Sequence, residues 1–291
     1  MIRFVNNVKT AVMLAGLMAL FLVVGAQFGQ TGLIFAFVLG GVTNIAAWFF
    51  SDKIALAAMR AREIGPDSPG AAGELYHLVD ELRQRAGLPM PKVCLCPHEA
   101  PNAFATGRSP RHAAVAVTEG AMRILNDDEL RGVMAHELAH IKNRDTLTSC
   151  IAATISGVLA YLAHVGLMFG GGRREGGNPL VMLATVILAM VAAAMLKAMI
   201  SRSREYVADH DGAVIAGSPL GLASALRRLE AYSKRIPLDT PNPAANNLFI
   251  VEPLTGSSIL NLFASHPPTE KRIAALMSQA DEMAARGHLA A

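Results

Sequence analysis

The chain contains 291 residues, of which 52% are hydrophobic and 17% are charged, and its formal net charge at pH 7 is +3. The mean hydropathy of +0.36 exceeds that of a typical water-soluble domain and indicates a membrane protein. The sequence contains no basic patch with interleaved aromatic residues, so we predict no nucleic-acid partner.

The N-terminal region is dominated by one long uncharged run. From Thr10 to Ser51 the chain has no charged residue, and Gly29-Gln30-Thr31-Gly32 divides this run into two apolar segments. Each segment is long enough to cross the hydrocarbon core of a bilayer. We therefore predict a transmembrane hairpin over residues 1–52, with the two spans on either side of that division.

A cleaved signal peptide is an alternative interpretation of the first apolar segment. Arg3 and Lys9 precede it, and Val24-Gly25-Ala26 loosely resembles a cleavage site. A second apolar segment follows almost at once, which favours an uncleaved hairpin.

Residues 53–146 have the pattern of a soluble α+β unit. Apolar residues at helical spacing predict a helix over residues 74–86, which Gly87-Leu88-Pro89 ends. Three β-strands are predicted to follow it, at residues 92–96, 103–106 and 113–118. A small sheet therefore precedes the next helix.

The cysteine positions argue against disulfides. Cys94 and Cys96 lie two apart on a predicted strand and share a face, where they cannot bridge easily, and Cys150 lies in an apolar run. A metal site formed by Cys94, Cys96 and His98 is an alternative, but it lacks a fourth ligand and a turn, so we favour core cysteines. Reduced thiols suit a cytoplasmic face.

The segment His136-Glu137-Leu138-Ala139-His140 has the spacing of a zinc-hydrolase site. Residues i and i+4 of an α-helix lie one above the other, so His136 and His140 can bind one Zn²⁺ while Glu137 reaches a water molecule at the metal. Asn126 and Glu129 have the spacing of a capping box, which predicts the start of this helix. Two surface histidines on an ordinary amphipathic helix are the weaker alternative.

Two further uncharged runs follow this motif, at residues 146–172 and 176–196. Runs of about 20 apolar residues usually span a bilayer, so we predict a second transmembrane hairpin over residues 147–200. Because these runs are rich in Gly and Ala, a buried soluble hairpin remains an alternative.

A catalytic zinc site needs a third protein ligand, and Glu205 is the best candidate. Glu205 and Asp209 lie four apart on one predicted helix face, so the first can bind zinc while the second holds a ligand histidine through its free ring N–H. A solvated charged turn, in which Glu205 pairs with Arg202 and Arg204, is the alternative.

The ligand positions constrain the membrane topology. The histidines precede the second pair of apolar runs and Glu205 follows it, so an even number of crossings separates them. Most basic residues that flank the apolar runs fall on the side of the zinc motif: Arg3, Lys9, Lys142, Arg144, Lys197, Arg202 and Arg204. Only Arg173 and Arg174 fall on the other side. The positive-inside rule therefore predicts a cytoplasmic zinc site.

Residues 201–291 are predicted to complete the catalytic domain. The tract at 236–258, rich in Pro and Asn, is predicted to be a loop over the cleft, either a lid or a connector. His266 and Arg272, next to a Pro-Pro turn and a predicted helix, are candidate donors to a tetrahedral oxyanion. In the alternative, His266 caps a turn and Arg272 is a solvated helix residue.

The sequence resembles the HtpX-type membrane zinc metalloproteases, which are relatives of the integral-membrane CAAX prenyl proteases. The resemblance covers nearly the whole chain. Four motifs carry it, namely Asn102-Ala103-Phe104-Ala105-Thr106-Gly107, the zinc motif at 136–140, Glu205-Tyr206-Val207-Ala208-Asp209 and His266-Pro267-Pro268-Thr269-Glu270-Lys271-Arg272. It implies a bacterial inner-membrane endopeptidase, often linked to stress, that cleaves damaged or misassembled membrane proteins from the cytoplasmic side.

The expected fold is an α+β membrane protein, in which two transmembrane helical hairpins join a mostly helical zincin-like catalytic domain with a small β-sheet. The expected reaction is peptide hydrolysis with one Zn²⁺ per chain and Glu137 as general base. Asn102, Ala103 and Phe104 form the candidate edge strand for pairing with an extended substrate, and polypeptides and the lipid bilayer are the expected partners. A narrow processing protease of the CAAX type and a non-enzymatic scaffold with structural zinc are the alternatives, although Glu137 argues against the scaffold.

Overall fold

The computed structural model describes residues 29–146, 204–233 and 267–286, together with scattered helical positions between residues 8 and 26. The described elements are α1 (Gly29–Ala58), β1 (Arg62–Ile64), α2 (Ala71–Ala86), β2 (Lys92–Cys96), β3 (Ala103–Ser109), β4 (His112–Thr118), α3 (Glu119–Ile124), α4 (Asp127–Asn143), α5 (residues 204–216), α6 (Leu220–Ser233) and α7 (Thr269–Ala285). This part of the chain is therefore mostly helical with one small sheet, as predicted.

The sheet has four strands in the order β1-β2-β4-β3. β1 pairs antiparallel with β2, β2 pairs parallel with β4, and β3 pairs antiparallel with β4. β3 is thus an edge strand of the described sheet. A register shift lies between Gly107 and Ser109, where a Cβ on Gly107 would come within 2.2 Å of His112 O, so the close approach of the two strands requires glycine.

Helix α2 follows the predicted apolar pattern but begins three residues earlier than predicted, at Ala71. Leu75, Val79 and Leu82 are buried on its inner face. Gly87 ends the helix in the left-handed conformation, with φ at 68°, and its N–H donates to the carbonyls of the last turn.

Helix α4, which carries the zinc motif, begins with the predicted capping box. The Asn126 side chain accepts a hydrogen bond from the Glu129 N–H, and the Glu129 carboxylate accepts one from the Asn126 N–H. The helix is buried along most of its length because α2, α6 and the sheet all pack against it. It ends at Arg144, which has a φ of 60° and turns the chain back towards the helix.

The sheet separates two hydrophobic cores. The larger core lies between the sheet and the packed helices and includes Val115, Leu138 and Leu226. The smaller core lies on the other face, where Cys94, Cys96, Phe104 and Ala116 pack against Ala55 and Met59 of α1. The C-terminal part of α1 is thereby fixed to the sheet.

Cys94 and Cys96 are core residues, as favoured. Cys94 and Cys96 are buried free thiols, and burial raises their pKa values to about 11 and about 12. His98 Nε2 lies 3.0 Å from Met59 O, so its ring already has a backbone partner.

Helix α1 contains the one segment of the described residues that is long and apolar enough to cross a membrane. This segment, Gly29–Phe50, has a mean hydropathy of 2.0, and only 12% of it is buried inside the protein. The helix continues without a break past residue 52, where the sequence predicts a domain boundary. Residues 147–203 lie outside the described residues, so the arrangement of two hairpins stays a prediction.

Candidate metal centre

The two histidines of the zinc motif face each other from consecutive turns of α4. Their Nε2 atoms lie 3.0 Å apart. The His136 side chain is 2% exposed and the His140 side chain is 15% exposed. The surface alternative for these histidines is therefore wrong.

Glu205 is brought to the histidines by α5. Its Oε2 lies 3.7 Å from His136 Nε2 and its Oε1 lies 3.6 Å from His140 Nε2. The helix can approach this closely because Gly212 has no side chain, and a Cβ there would lie 2.9 Å from His136 Cα. Glu205 is buried, which excludes the solvated charged turn.

A further carboxylate lies close to the Nδ1 atom of each histidine ring. His136 Nδ1 lies 3.0 Å from Asp209 Oδ1, and His140 Nδ1 lies 3.0 Å from Asp145 Oδ2. A ring that donates through Nδ1–H leaves a lone pair on Nε2, which is the form that binds a metal. Asp209 lies where the sequence predicted it. Asp145 was not predicted from the sequence. Its only sign there is that an acidic residue lies just beyond the end of the motif helix.

The donor set fits a divalent cation in a tetrahedral site. Ligands at about 2.0–2.1 Å from a tetrahedral ion lie about 3.3 Å from one another, close to the separations of the ligand atoms of His136, His140 and Glu205. Two Nε2 lone pairs that face each other repel unless a metal ion or a proton lies between them.

The surrounding charges also favour a cation. Four buried carboxylates, those of Glu137, Asp145, Glu205 and Asp209, accompany two buried guanidinium groups, those of Arg204 and Arg272. With all four carboxylates ionised, neutral histidines would leave two negative charges in excess. Burial opposes a charge on His140, yet Asp145 and Glu205 raise its pKa to about 9, so the site attracts positive charge even without an ion.

Arg272 reaches the centre from α7 and is almost fully buried. Its Nε and Nη2 donate to the two oxygens of Asp209 at 2.8 and 2.7 Å, and its Nη1 lies 3.4 Å from Glu205 Oε2. Although burial opposes ionisation, Arg272 lowers the pKa of Asp209 to about 2. The interpretation of Arg272 as a solvated helix residue is therefore wrong.

Glu137 lies between the ligand histidines on α4 and is also buried. Burial raises the pKa of its carboxyl to about 7, which lets it change protonation state near neutral pH. The backbone N–H of Ala105 on β3 lies beside this carboxylate and favours its ionised form. The sequence did not predict this contact, because it depends on the register of the edge strand.

The predicted edge residues occupy different positions on β3. Asn102 exchanges hydrogen bonds with Thr118 through its N–H and its C=O, and the Phe104 side chain lies in the smaller core. Gly107 O accepts from Thr146 Oγ1 at 2.8 Å, so odd-numbered residues direct their backbone groups away from β4. Ala103 is therefore the predicted edge residue whose backbone groups point away from β4. His266 lies outside the described residues.

Comparisons with known proteins agree with this geometry. Residues 69–280 match the model of peptidase family M48. A protease HtpX homolog of Desulforapulum autotrophicum is 48% identical over 95% of this chain and 91% of its own length, and one of Nostoc punctiforme is 48% identical over 97% and 99%. These matches confirm the resemblance to HtpX-type proteases.

A solved structure shares the fold. The crystal structure of S. mikatae Ste24p has a TM-score of 0.52 with this chain at 18% sequence identity. The match covers 94% of this chain and 66% of the Ste24p chain, so this protein spans just under two thirds of that structure. By its family match, its curated relatives and its apolar helix, the chain belongs to peptidase family M48 and is a membrane metalloprotease.

Proposed function

We propose that this protein is a zinc-dependent endopeptidase that cleaves misfolded or damaged membrane proteins on the cytoplasmic side of the bacterial inner membrane. One observation carries the proposal. The buried Glu137 carboxylate, between the two ligand histidines, lies beside the backbone N–H of the edge strand at Ala105. The general base and the strand on which a substrate would lie are thus adjacent.

Zinc is the metal that this donor set suits best, because two imidazoles and one carboxylate leave a fourth position open for catalysis. Bound Zn²⁺ would polarise the scissile carbonyl and acidify a water molecule. Glu137 then takes a proton from the attacking water and returns it to the leaving amine. Asp209 and Asp145 keep the two imidazoles in the orientation that binds the metal.

Substrate binding is proposed to occur along β3. Ala103 and Ala105 face away from β4, and an extended peptide that lies beside them would run past Glu137. At Gly107 the outward carbonyl already accepts from Thr146, so the pairing would end there. Backbone pairing suits a protease of broad specificity, since it does not depend on particular substrate side chains.

The oxyanion donors stay proposals. Nε and Nη2 of Arg272 are held by Asp209, so the donor proposed for this role is Nη1. That atom is also the one nearest to Glu205, at 3.4 Å. His266 precedes α7 by three residues and belongs to the same proposed pair.

Two variants test the chemistry. Glu137→Gln should abolish hydrolysis of an unfolded protein while zinc content stays at the wild-type level. Glu205→Ala should lower zinc occupancy strongly as well as activity, because it removes a ligand. Hydrolysis by Glu137→Gln at the wild-type rate would remove Glu137 from the mechanism, and full zinc in Glu205→Ala would place the third ligand elsewhere.

The same assay separates the alternatives. A CAAX-type processing enzyme would spare the unfolded protein and cleave only short prenylated C-terminal peptides. A scaffold with structural zinc would cleave neither.

Sidedness is tested with single cysteines in a background that lacks the native cysteines. In intact cells a membrane-impermeant thiol reagent should label Gly171→Cys, in the proposed 147–200 hairpin, and spare Ser68→Cys, in the proposed 53–146 unit. Labelling of position 68 would invert the orientation. Sparing of both positions would show that the second hairpin does not cross, and would change the proposed division at 1–52, 53–146, 147–200 and 201–291.

A further inference from the structure

The turn between β3 and β4 lies beside the end of the apolar segment of α1. Arg108 Cζ lies 5.6 Å from the centre of the Phe49 ring, and Lys53 Nζ lies 5.5 Å from the centre of the Phe50 ring. Phe49 and Phe50 are 48% and 49% exposed and are the last residues of the candidate span. Aromatic residues followed by cations are typical of the boundary between hydrocarbon and headgroups.

The turn is held at this level by rigid packing. β3 runs beside α1, with Phe104 against Ala55 and Met59 at one end and Arg108 against Phe49 at the other. The strand rises about 13 Å between residues 104 and 108, and the helix rises about 12 Å over the corresponding eight residues. The two elements therefore run side by side towards the membrane, and the turn stays level with the end of the span.

The exposed charge on this surface is mainly positive. Arg111 lies in the turn itself and is exposed, and His112 beside it is also exposed. Among the described residues, Arg108, Arg111 and Lys53 form no ion pair with an acidic side chain. Three cations at the level of the headgroups, with no acidic partner in the part of the chain that the structure describes, match the negative charge of acidic phospholipids.

We propose that Arg108, Arg111 and Lys53 form a binding surface for the phosphate groups of anionic lipids. This surface depends on the membrane span of α1 and does not depend on proteolysis. Lipid binding at this surface would fix the position of the metal centre relative to the membrane. Ala105, whose N–H lies beside Glu137, is three residues from Arg108 on the same strand, or about 10 Å. Because this distance is short, lipids bound at the turn would hold the metal centre close to the headgroups.

The single tryptophan of the chain, Trp48, lies next to Phe49 and reports on this surface. The protein is reconstituted into phosphatidylcholine vesicles that contain brominated phosphatidylglycerol or brominated phosphatidylcholine, and quenching of Trp48 fluorescence gives the relative affinity for the two lipids. We expect a preference for phosphatidylglycerol of roughly five-fold per engaged cation. The preference should fall as salt concentration rises.

Paired variants that remove or retain the positive charges test the proposed lipid preference. Arg108→Gln with Arg111→Gln should reduce the preference to roughly five-fold, the contribution of the remaining Lys53, whereas Arg108→Lys with Arg111→Lys should retain the wild-type preference. Arg62→Gln with Arg123→Gln removes two cations at the opposite end of the sheet and should leave the preference unchanged. Retained metal content shows that each variant is folded. Equal quenching by both lipids in the wild type, or an unchanged preference in the double glutamine variant, would overturn the proposal.

Discussion

Asp145 offers the most direct test of the metal centre, because it holds a ligand without being one of the three candidate ligands. Its Oδ2 lies 3.0 Å from His140 Nδ1, and its side chain is 3% exposed. Asp145→Ala leaves a buried ring N–H without this acceptor and frees the ring to turn. Asp145→Asn keeps an oxygen of similar size but removes the negative charge that strengthens His140 as a ligand.

The expected loss is 10-fold to 100-fold in zinc affinity, as is usual when the partner of a metal-binding histidine is removed. This corresponds to about 1.4–2.8 kcal/mol of binding free energy. Asp145→Ala should lie at the upper end of the range, because it loses both the charge and the acceptor, and Asp145→Asn at the lower end. The dissociation constant for zinc is measured on the purified full-length protein by competition with a chromogenic chelator.

Asp211→Asn is the matched control. Asp211 lies on the same helix as Asp209, but it accepts from Asn143 Nδ2 at 2.9 Å and not from a ligand histidine. Its variant should keep wild-type zinc affinity. The positioning role of Asp145 would be refuted by unchanged affinity in Asp145→Ala, or by an equal loss in the Asp211 control.

Two further predictions concern packing around the centre. Gly212→Ala should destabilise the protein by about 1–3 kcal/mol and weaken zinc binding, because the added Cβ meets His136 backbone atoms at 2.9–3.0 Å; a more stable variant with unchanged affinity would contradict this. Arg272→Met should cost about 3–5 kcal/mol in thermal unfolding, since it leaves the buried Asp209 carboxylate without its paired cation. Arg286→Gln, which breaks an exposed pair, should cost less than about 1 kcal/mol, and equal losses in the two variants would argue against this reasoning.

The zinc helix could be predicted because all of its signals are local. Asn126 and Glu129 form the capping box that their spacing indicates, and His136 and His140 face each other as i and i+4 residues must. Gly87 ends α2 for an equally local reason, since glycine readily adopts the left-handed conformation found there. These features need only a short stretch of chain and no knowledge of the rest of the fold.

Contacts that depend on distant segments or unusual backbone could not be predicted in the same way. Asp145 reaches His140 because Arg144 adopts a φ of 60°. Non-glycine residues rarely adopt this conformation, and the sequence gives no sign of it here. The burial of Arg272 follows from its pairing with Asp209, which is 63 residues away along the chain. A charged residue at a helix start gives no local sign of such a partner, so the sequence also allows the solvated alternative.

The two flanks of the segment 147–203 meet at the metal centre, and this constrains the membrane topology. Arg204 Nη1 donates to Asp145 O at 3.3 Å, and Thr146 Oγ1 donates to Gly107 O at 2.8 Å. These contacts place both flanks on the same side of the membrane, because each flank is bonded to the same polar domain. A segment that starts and ends on one side of the membrane crosses it an even number of times. Its two predicted apolar runs therefore either both cross the bilayer or both remain on the side of the metal centre. The sequence predicts an even number of crossings because both flanks supply ligands to one ion. The same constraint follows here from hydrogen bonds that need no metal, so the predicted second hairpin is present or absent as a whole.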